Sequence, residues 1–287
     1  MAQDIYERIR DNIVNQLENG TIPWVKCFHT ADAGCAYSHS SQNPYSLLNQ
    51  FLLCRTGEYW TFQQAKNAGF HIRKGAKGSF IVFWKILEKE RENEEKTDKI
   101  PYLRWYSVFH ESDVDGLPAK TPVDETDRET RNSERLDLAE NIVDEYIRRN
   151  ERIALCVSAR TTPCWSQANE TIYVPEKSQF DSLADYYAAL FHEMVHSTGR
   201  ALDRKLNYRD MKDRAKEELV AEIGSAYLCG KCGITEDVIK NQSAYCRNWL
   251  QPLKDDIKIL VWASSRAERA VKHILGECSE EVSESES

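Results

Sequence analysis

The chain has 287 residues, of which 41% are hydrophobic, 10% aromatic and 29% charged, and its mean hydropathy is −0.61. This composition argues against global disorder, and the length allows one large domain or two small ones. No apolar run approaches the roughly 18–20 residues of a membrane helix, and the start of the chain lacks the apolar core of a signal peptide, so we expect a cytoplasmic protein without a membrane partner.

The net charge of −8 is spread unevenly along the chain. Residues 1–86 carry nine basic and six acidic side chains, whereas residues 113–287 carry 24 basic and 33 acidic ones. Five Glu and four Ser fill the last eleven residues, so we predict a disordered acidic tail over 277–287. The negative charge therefore argues against nucleic-acid binding only for the second half of the chain.

The nine cysteines are scattered along the chain. This pattern, in a protein expected to stay inside the cell, indicates free thiols rather than a disulfide framework. Cys229 and Cys232 have the C-x-x-C spacing, but a structural zinc site needs four ligands and the sequence has no second close pair. We interpret this pair, followed by Gly233, as the end of a helix.

The first part of the chain mixes helices and strands. Apolar residues four apart predict the first helix, and Thr61 is a typical N-cap for a later one. The predicted helices cover 2–19, 46–54 and 62–69, and two strands cover 79–87 and 101–110 with a charged hairpin loop between them. Together they predict a small α+β domain over 1–112, which a linker over 113–133 joins to the rest of the chain.

The second part of the chain has a mainly helical pattern. The predicted helices cover 134–150, 182–198 and 210–229, with further helices in 235–275, and two short strands cover 153–158 and 170–174. Asp181 or Ser182 is a typical N-cap, since Asp185 follows at the capping-box position. We therefore predict a mostly helical domain with a small sheet over 134–276, and an α+β class for the two-domain chain.

The segment His192-Glu193-Met194-Val195-His196 has the form H-E-x-x-H. Residues four apart lie on one face of a helix, so the two imidazoles can bind one metal ion. Glu193 directly follows the first ligand, where it can take a proton from a water that zinc has made more acidic. Because a predicted strand precedes this helix, as in zincins, we predict a zinc site that hydrolyses amide bonds.

A catalytic zinc ion takes a third protein ligand. The spacing H-E-x-x-H-x-x-G-x-x-H would supply a histidine, but Leu202 occupies that position and Asp203 is one residue out of register. A glutamate on the following helix is the other source. Glu218 and Glu222 share a helix face, and we predict Glu218 as the ligand, with Glu222 as its main rival. In this assignment Glu222 accepts a hydrogen bond from a ligating imidazole, and Glu217 lies on the solvated face.

A peptidase also needs a group that stabilises the negative charge developing on the carbonyl oxygen. Tyr208, Tyr227 and Arg200 are candidates for this role. Their spacing from the histidines does not choose between them, so the role stays unassigned.

Together these motifs resemble ArdC-type antirestriction proteins of conjugative plasmids and related mobile elements. The resemblance covers about residues 1–275, and the segments that carry it are Pro23-Trp24, Asn43–Asn49, Tyr59–Ala65, Ile72–Gly78, His192–Gly199 and Glu217–Gly224. It implies an N-terminal domain that binds single-stranded DNA and a C-terminal zincin-like metallopeptidase domain with Zn²⁺ as cofactor. The implied function is protection of incoming DNA from restriction.

The resemblance also implies where DNA would bind. The expected DNA-binding residues are Arg73, Lys74, Lys77, Trp60, Asn49 and Tyr45. The three basic residues lie in a Gly-containing turn that suits contacts with phosphate, and aromatic rings in such sites stack on bases. Because residues 1–86 carry a net charge of only +3, we expect modest affinity that salt readily reduces.

Two other functions fit the same motifs. The first is an intracellular zinc protease that cuts a host protein, with the N-terminal domain selecting that protein. The second is a non-catalytic domain with a structural zinc ion, although a structural site has no need of Glu193.

Overall fold

The computed structural model describes residues 4–27, 35–90, 97–118, 128–158, 162–204, 210–234 and 242–277. The first part of the chain forms α1 (Ile5–Glu18), α2 (Pro23–Lys26), β1 (Ala36–Ser38), α3 (Leu47–Leu53), β2 (Gly57–Trp60), α4 (Phe62–Asn67), β3 (His71–Ile72), β4 (Ser79–Glu90), β5 (Thr97–His110) and β6 (Val114–Asp115). The second part forms α5 (Arg128–Arg149), β7 (Ala154–Val157), β8 (Cys164–Ser166), β9 (Thr171–Val174), α6 (Leu183–Ser197), α7 (Met211–Cys232), α8 (Gln242–Asp255) and α9 (Lys258–Leu275). This mixture of helices and small sheets confirms the predicted α+β class.

The described strands form three sheets. The largest has the order β1-β2-β5-β4, in which β1 and β2 are parallel and the other neighbours are antiparallel. A second sheet pairs β3 with β6, and a third has the order β7-β9-β8. In the third sheet β7 is parallel and β8 antiparallel to β9, so β8 is an edge strand of the sheet as described.

The β4–β5 hairpin is longer than predicted, because both strands extend into the charged segment that we expected to be a loop. Its register places Ile81 opposite Tyr106. Opposite residues of an antiparallel ladder share a face, so alternate residues of the two strands form one surface. We call this surface the Tyr106 face, and it consists of Ile81, Phe83, Arg104, Tyr106 and Val108. Ile81 and Val108 are buried there in a cluster with Tyr59.

Two neighbouring amide side chains of α3 hold the largest sheet together. The side chain of Asn49 accepts a hydrogen bond from the Val82 N–H at 2.8 Å and donates one to the Val82 carbonyl at 2.9 Å. Gln50 makes the equivalent pair of bonds with the backbone of Ala36, both at 2.8 Å. Both side chains are buried, and buried polar groups need partners. Their position therefore indicates a structural role.

One hydrophobic core joins the two parts of the chain. The ring of Trp24 is fully buried and lies edge-on to Phe51 and to Trp249, with centroid distances of 6.2 Å and 6.5 Å. A polar contact also crosses between the parts, because the Leu47 N–H donates a hydrogen bond to Glu268 of α9 at 3.2 Å. The helices of the first part thus pack directly on helices of the second.

The predicted domain limits stay predictions, and two observations bear on them. The helix α5 begins at Arg128, inside the segment 113–133 that we expected to be a linker. Of the predicted acidic tail only Glu277 is described, and residues 278–287 lie outside the described residues. Within the described ranges, no helix has the length and apolar character needed to cross a membrane.

The C-x-x-C pair occupies the last turn of α7. Both Cys229 and Cys232 are buried, and the helix ends at Cys232. Gly233 follows with φ of 70°, the left-handed conformation that favours glycine after a helix. The prediction that this pair marks a helix end is therefore confirmed.

Candidate metal centre

One side of the helix α6 is buried in the core, and another side carries the two histidines. Ser182 caps it, since its Oγ accepts a hydrogen bond from the Asp185 N–H at 3.1 Å. The buried side includes Leu190, Phe191, Met194 and Val195. His192 and His196 lie one turn apart, with their Nε2 atoms separated by 3.1 Å. The two imidazoles therefore converge on one point, as expected for residues four apart on a helix.

The helix α7 brings a carboxylate to the same point. Glu218 Oε2 lies 3.4 Å from His192 Nε2, and Glu218 Oε1 lies 3.8 Å from His196 Nε2. The two helices can approach closely because residue 224 is glycine, where a Cβ would lie 2.7 Å from Val195 Cγ2. The structure thus brings together the two predicted histidines and the predicted glutamate.

This arrangement fits a divalent ion. Ligand atoms bound tetrahedrally about 2.1 Å from an ion lie about 3.4 Å from one another. The two Nε2 atoms lie 3.1 Å apart, and the nearest Glu218 oxygens are Oε2 at 3.4 Å from His192 and Oε1 at 3.8 Å from His196. One donor atom from each residue can be chosen so that all three lie within 4.8 Å of one another. Two imidazole nitrogens and one carboxylate oxygen are a donor set of catalytic zinc sites, which keep a fourth position open. These three residues could therefore hold a metal ion.

Glu217 is not on the solvated face, and our expectation for it was wrong. Only 1% of the residue is exposed. Its Oε1 accepts a hydrogen bond from His196 Nδ1 at 3.2 Å and another from Arg204 Nη2 at 2.8 Å. Burial favours the neutral acid, but these bonds outweigh it and lower the pKa of Glu217. A carboxylate on the outer nitrogen directs Nε2 of His196 toward Glu218 and His192.

The centre is rich in negative charge. Burial lowers the pKa of His192, but Glu218, Glu222 and Glu193 outweigh burial and raise it. The hydrogen bond with His192 in turn lowers the pKa of Glu218. Such a group of carboxylates favours a bound cation. Glu222 is thus close enough to influence His192, and the role that we predicted for it as acceptor from an imidazole stays a prediction.

Glu193 contacts the edge strand β8. Its Oε2 accepts a hydrogen bond from the Trp165 backbone N–H at 2.6 Å. Trp165 lies opposite Ile172 of β9, yet its N–H is directed away from β9 and toward α6. This bond fixes the direction of the Glu193 carboxylate relative to the two histidines.

The three candidates for stabilising the carbonyl oxygen lie in different parts of the chain, and each has its own environment. Arg200 forms an ion pair with Glu170, in the turn that precedes β9. Burial, followed by the charge of Glu277, raises the pKa of Tyr227 to about 12. Tyr208 lies outside the described residues. The role therefore stays unassigned.

Four of the predicted DNA-binding residues are at least partly accessible. Arg73, Lys74 and Lys77 are exposed in the turn that leads into β4, and Tyr45 is half-buried. Arg73 also donates a hydrogen bond to Asp115 at 3.3 Å. The basic turn is thus accessible to a phosphate backbone.

The other two predicted DNA-binding residues are buried. Trp60 stacks on His39 with ring centroids 3.2 Å apart, and Asn49 is bonded to the backbone of Val82. Burial does not favour direct contact of Trp60 or Asn49 with DNA, so for them this role stays a prediction without structural support.

Sequence reasoning missed three groups that the structure makes prominent. They are the backbone N–H of Trp165, the buried side chain of Arg204 and the exposed ring of Tyr106. Only the last had a signal, because an aromatic residue in a predicted strand of alternating pattern can face solvent.

Two family sequence models match the chain. The model of the N-terminal domain of anti-restriction factor ArdC matches residues 3–109, and that of a zincin-like metallopeptidase matches residues 143–266. The metal-free crystal structure of the antirestriction ArdC protein from plasmid R388 has 30% identity and a TM-score of 0.71, covering 96% of this chain and 97% of that one. The Mn(II)-bound structure has 30% identity and a TM-score of 0.72, covering 96% and 99%.

A curated relative, the DNA primase TraC of Escherichia coli, is 28% identical over 96% of this chain. The chain spans only 27% of the length of that relative. The R388 protein, by contrast, is matched over almost its whole length. The chain therefore belongs to the family of ArdC antirestriction proteins and carries a zincin-like metallopeptidase domain in its second part.

Proposed function

We propose that this chain is an antirestriction protein that binds single-stranded DNA and hydrolyses peptide bonds with the help of a zinc ion. The observation that carries the hydrolytic part is the convergence of His192, His196 and Glu218, whose ligand atoms lie within 4.8 Å of one another, with Glu193 beside them. Zinc is our choice because this donor set is found in catalytic zinc sites. A structure of the R388 relative with Mn(II) supports a divalent ion in the family.

The chemistry divides between the ion and the side chains. When bound, the ion supplies Lewis acidity that polarises a carbonyl group and lowers the pKa of water. Glu193 acts as general base toward the attacking water and then returns the proton to the leaving amine. The Trp165 N–H holds Glu193 Oε2 at 2.6 Å, which sets the direction of its carboxylate for both transfers. Glu217 holds the outer nitrogen of His196, so this imidazole keeps its orientation.

The edge strand β8 supports a peptide as the substrate. It pairs on one side with β9, and its Trp165 N–H is directed toward the centre rather than toward β9. The outer side of an edge strand can pair with an extended peptide as a further strand, and the outward Trp165 N–H, already bonded to Glu193, links that side of β8 to the centre. A chain bound there would run past Glu193, with its amide bonds close to His192 and His196.

Removal of the metal is expected to abolish hydrolysis reversibly. Dialysis against EDTA should eliminate cleavage of unfolded casein, and an equimolar amount of Zn²⁺ should restore it, because the side chains alone supply no Lewis acid. Mg²⁺ is the control, since it prefers six oxygen ligands and should not restore activity. Cleavage that persists in metal-free protein would contradict the proposal, as would intact casein beside zinc-loaded protein.

The DNA-binding part of the proposal concerns the Tyr106 face. Tyr106 is 43% exposed and meets Phe83 edge-on, with centroids 5.5 Å apart. Tyr45 packs against the buried cluster that includes Ile81 and Val108 of the same face. Exposed rings on a sheet surface can stack on bases of any sequence, and the exposed Arg104 can contact the phosphates between them. These contacts support single-strand binding without sequence preference.

The substitution Tyr106→Ala is expected to weaken binding of a single-stranded 20-mer by about 5- to 150-fold, because stacking contributes about 1–3 kcal/mol per base. Trp105→Ala is the matched control. Trp105 is 41% exposed but lies on the opposite face of β5, where the guanidinium of Arg8 covers its ring at 3.9 Å. Fluorescence anisotropy at two salt concentrations would measure both affinities. Equal losses in the two variants, or binding that salt does not weaken, would contradict this site.

A further inference from the structure

Arg204 is a buried cation with no role in the chemistry described above. Its side chain is 3% exposed, and it follows α6 by seven residues in the turn that leads toward α7. A buried guanidinium is costly unless its donors are satisfied, and breaking such a pair leaves an uncompensated charge. The identity of its acceptors therefore indicates what it does.

The first acceptor is Glu217 on α7. Arg204 Nε donates to Glu217 Oε2 at 3.1 Å, and Nη2 donates to Glu217 Oε1 at 2.8 Å. Two parallel bonds between a guanidinium and a carboxylate give the pair a defined geometry as well as charge neutralisation. A lysine could match the charge but not this fork. The orientation of the Glu217 carboxylate is thus set by Arg204.

The other acceptors belong to the end of α6. Nη2 donates to the Val195 carbonyl at 2.8 Å, and Nη1 donates to Thr198 Oγ1 at 2.6 Å. The last carbonyls of a helix lack the usual partner four residues later, and a cation there interacts favourably with the helix dipole. The Val195 carbonyl also accepts hydrogen bonds from the N–H and the hydroxyl of Thr198. Arg204 therefore makes hydrogen bonds with the last turn of α6, which contains His196.

These contacts converge on two of the three ligand residues. Glu217 Oε1 accepts from His196 Nδ1 at 3.2 Å, and Glu217 precedes Glu218 on α7. One guanidinium thus contacts both the helix that carries the histidines and the helix that carries the glutamate. We propose that Arg204 is a positioning residue of the metal centre, which holds His196 and Glu218 at the separation that a divalent ion requires. This inference rests on the proposed metal site and adds to it a residue that does not touch the ion.

A merely structural role makes a different prediction. The two helices also meet where Gly224 packs on the side chain of Val195, whereas Arg204 bonds to the backbone carbonyl of that residue. A conservative variant can therefore keep the fold and still lose the alignment of the ligands. If Arg204 only stabilises the fold, metal affinity and melting temperature should fall together or not at all.

The experiment compares Arg204→Lys with Arg149→Lys in the full chain. Arg149 is the matched control, because it also donates to the last carbonyls of a helix, those of His273 and Ile274 at the end of α9, but contacts no ligand residue. Affinity for Zn²⁺ is measured by competition with a chromophoric chelator, and the melting temperature is measured on metal-free protein. The visible spectrum of the Co²⁺-loaded protein reports the geometry of the ligands.

We expect Arg204→Lys to lower Zn²⁺ affinity by about 10- to 100-fold and to change the Co²⁺ spectrum, with a melting temperature close to that of Arg149→Lys. Arg149→Lys should keep wild-type affinity. Unchanged affinity and spectrum in Arg204→Lys would overturn the inference. If the wild type itself binds no metal, the proposed function fails instead.

A second variant tests the same contact from the side of Glu217, without a change to Arg204. Glu217→Gln retains the shape of the side chain but removes the charge that pairs with Arg204. We expect it to lower Zn²⁺ affinity to a similar extent, and the double variant to lose little more than either single one, because both act through one contact. Additive losses would show that Arg204 acts independently of Glu217 and would overturn the inference.

Discussion

The substitution Glu193→Gln is expected to reduce peptide hydrolysis by about 10²- to 10⁴-fold, the usual contribution of a general base. Glutamine has the same shape, and its carbonyl oxygen can still accept the hydrogen bond that the Trp165 N–H makes with Glu193 Oε2 at 2.6 Å. It cannot, however, take a proton from water. The rate constant for cleavage should therefore fall while the position of the side chain is kept.

Two controls accompany this variant. Its Zn²⁺ content should equal that of the wild type, because Glu193 is not among the three residues that converge as ligands. Its affinity for single-stranded DNA should also be unchanged, since Tyr106 lies in a different sheet. A transfer assay that measures how well the Glu193→Gln variant protects incoming DNA then separates DNA binding from peptide hydrolysis. Full protection by the inactive variant would show that hydrolysis is not what antirestriction requires.

The convergence of the two histidines could be predicted from the sequence because it depends on local helix geometry alone. His192 and His196 are four apart, and any helix through them brings the two rings together. Their observed Nε2 separation of 3.1 Å follows from this spacing. Placing Glu218 beside them required one more step, namely the correct face of the next helix. Neither step needed knowledge of the loops between the helices.

The surroundings of the histidines could not be predicted in this way. Glu217 and Glu218 are adjacent on α7, and Glu217 is buried where it pairs with Arg204 and His196. The position of Arg204 follows from how the chain turns after α6, which has no periodic signal. The strand β8 has three residues, too few for an alternating pattern, so the contact of Trp165 with Glu193 was also missed.

Asn49 shows the converse difficulty. The family resemblance places it in the DNA site, whereas its side chain is bonded to the backbone of Val82, 33 residues later. A polar residue shared within a family can serve the fold or the ligand, and sequence alone does not separate these roles. Burial and the bonds to β4 favour a role of Asn49 in the fold.

The continuous core changes how the two functions should be tested. Trp24 packs on Phe51 of the first part and on Trp249 of the second, so a fragment ending near residue 112 would expose apolar surface that is buried in the whole chain. Loss of DNA binding by such a fragment would then report unfolding rather than the location of the site. Variants of the full chain, such as Tyr106→Ala, avoid this ambiguity.

The substitution Glu218→Ala is expected to remove zinc from the centre. Among the residues that the structure describes, it leaves His192 and His196 as the converging ligands, whereas catalytic zinc sites use three protein ligands. The loss of affinity should exceed the about 10- to 100-fold typical of groups that only orient a ligand. Glu222→Ala is the matched control. The charge of Glu222 also raises the pKa of His192, but Glu222 is not one of the three converging residues.

Both metal content and thermal stability distinguish these two variants. Zinc bound only to the folded state stabilises it by about 2.7 kcal/mol when free zinc is 100 times its dissociation constant. The wild type and Glu222→Ala should therefore melt at higher temperature when zinc is added, and Glu218→Ala should not. If Glu222→Ala lost the response while Glu218→Ala kept it, Glu222 would be the third ligand.

A shift of Glu222 into the position now held by Glu218 would require α7 to turn or slide, and that movement would break the bond between Glu217 and His196 at 3.2 Å. The existing contacts of Glu217 with His196 and Arg204 thus favour Glu218, and the two alanine variants test that preference directly.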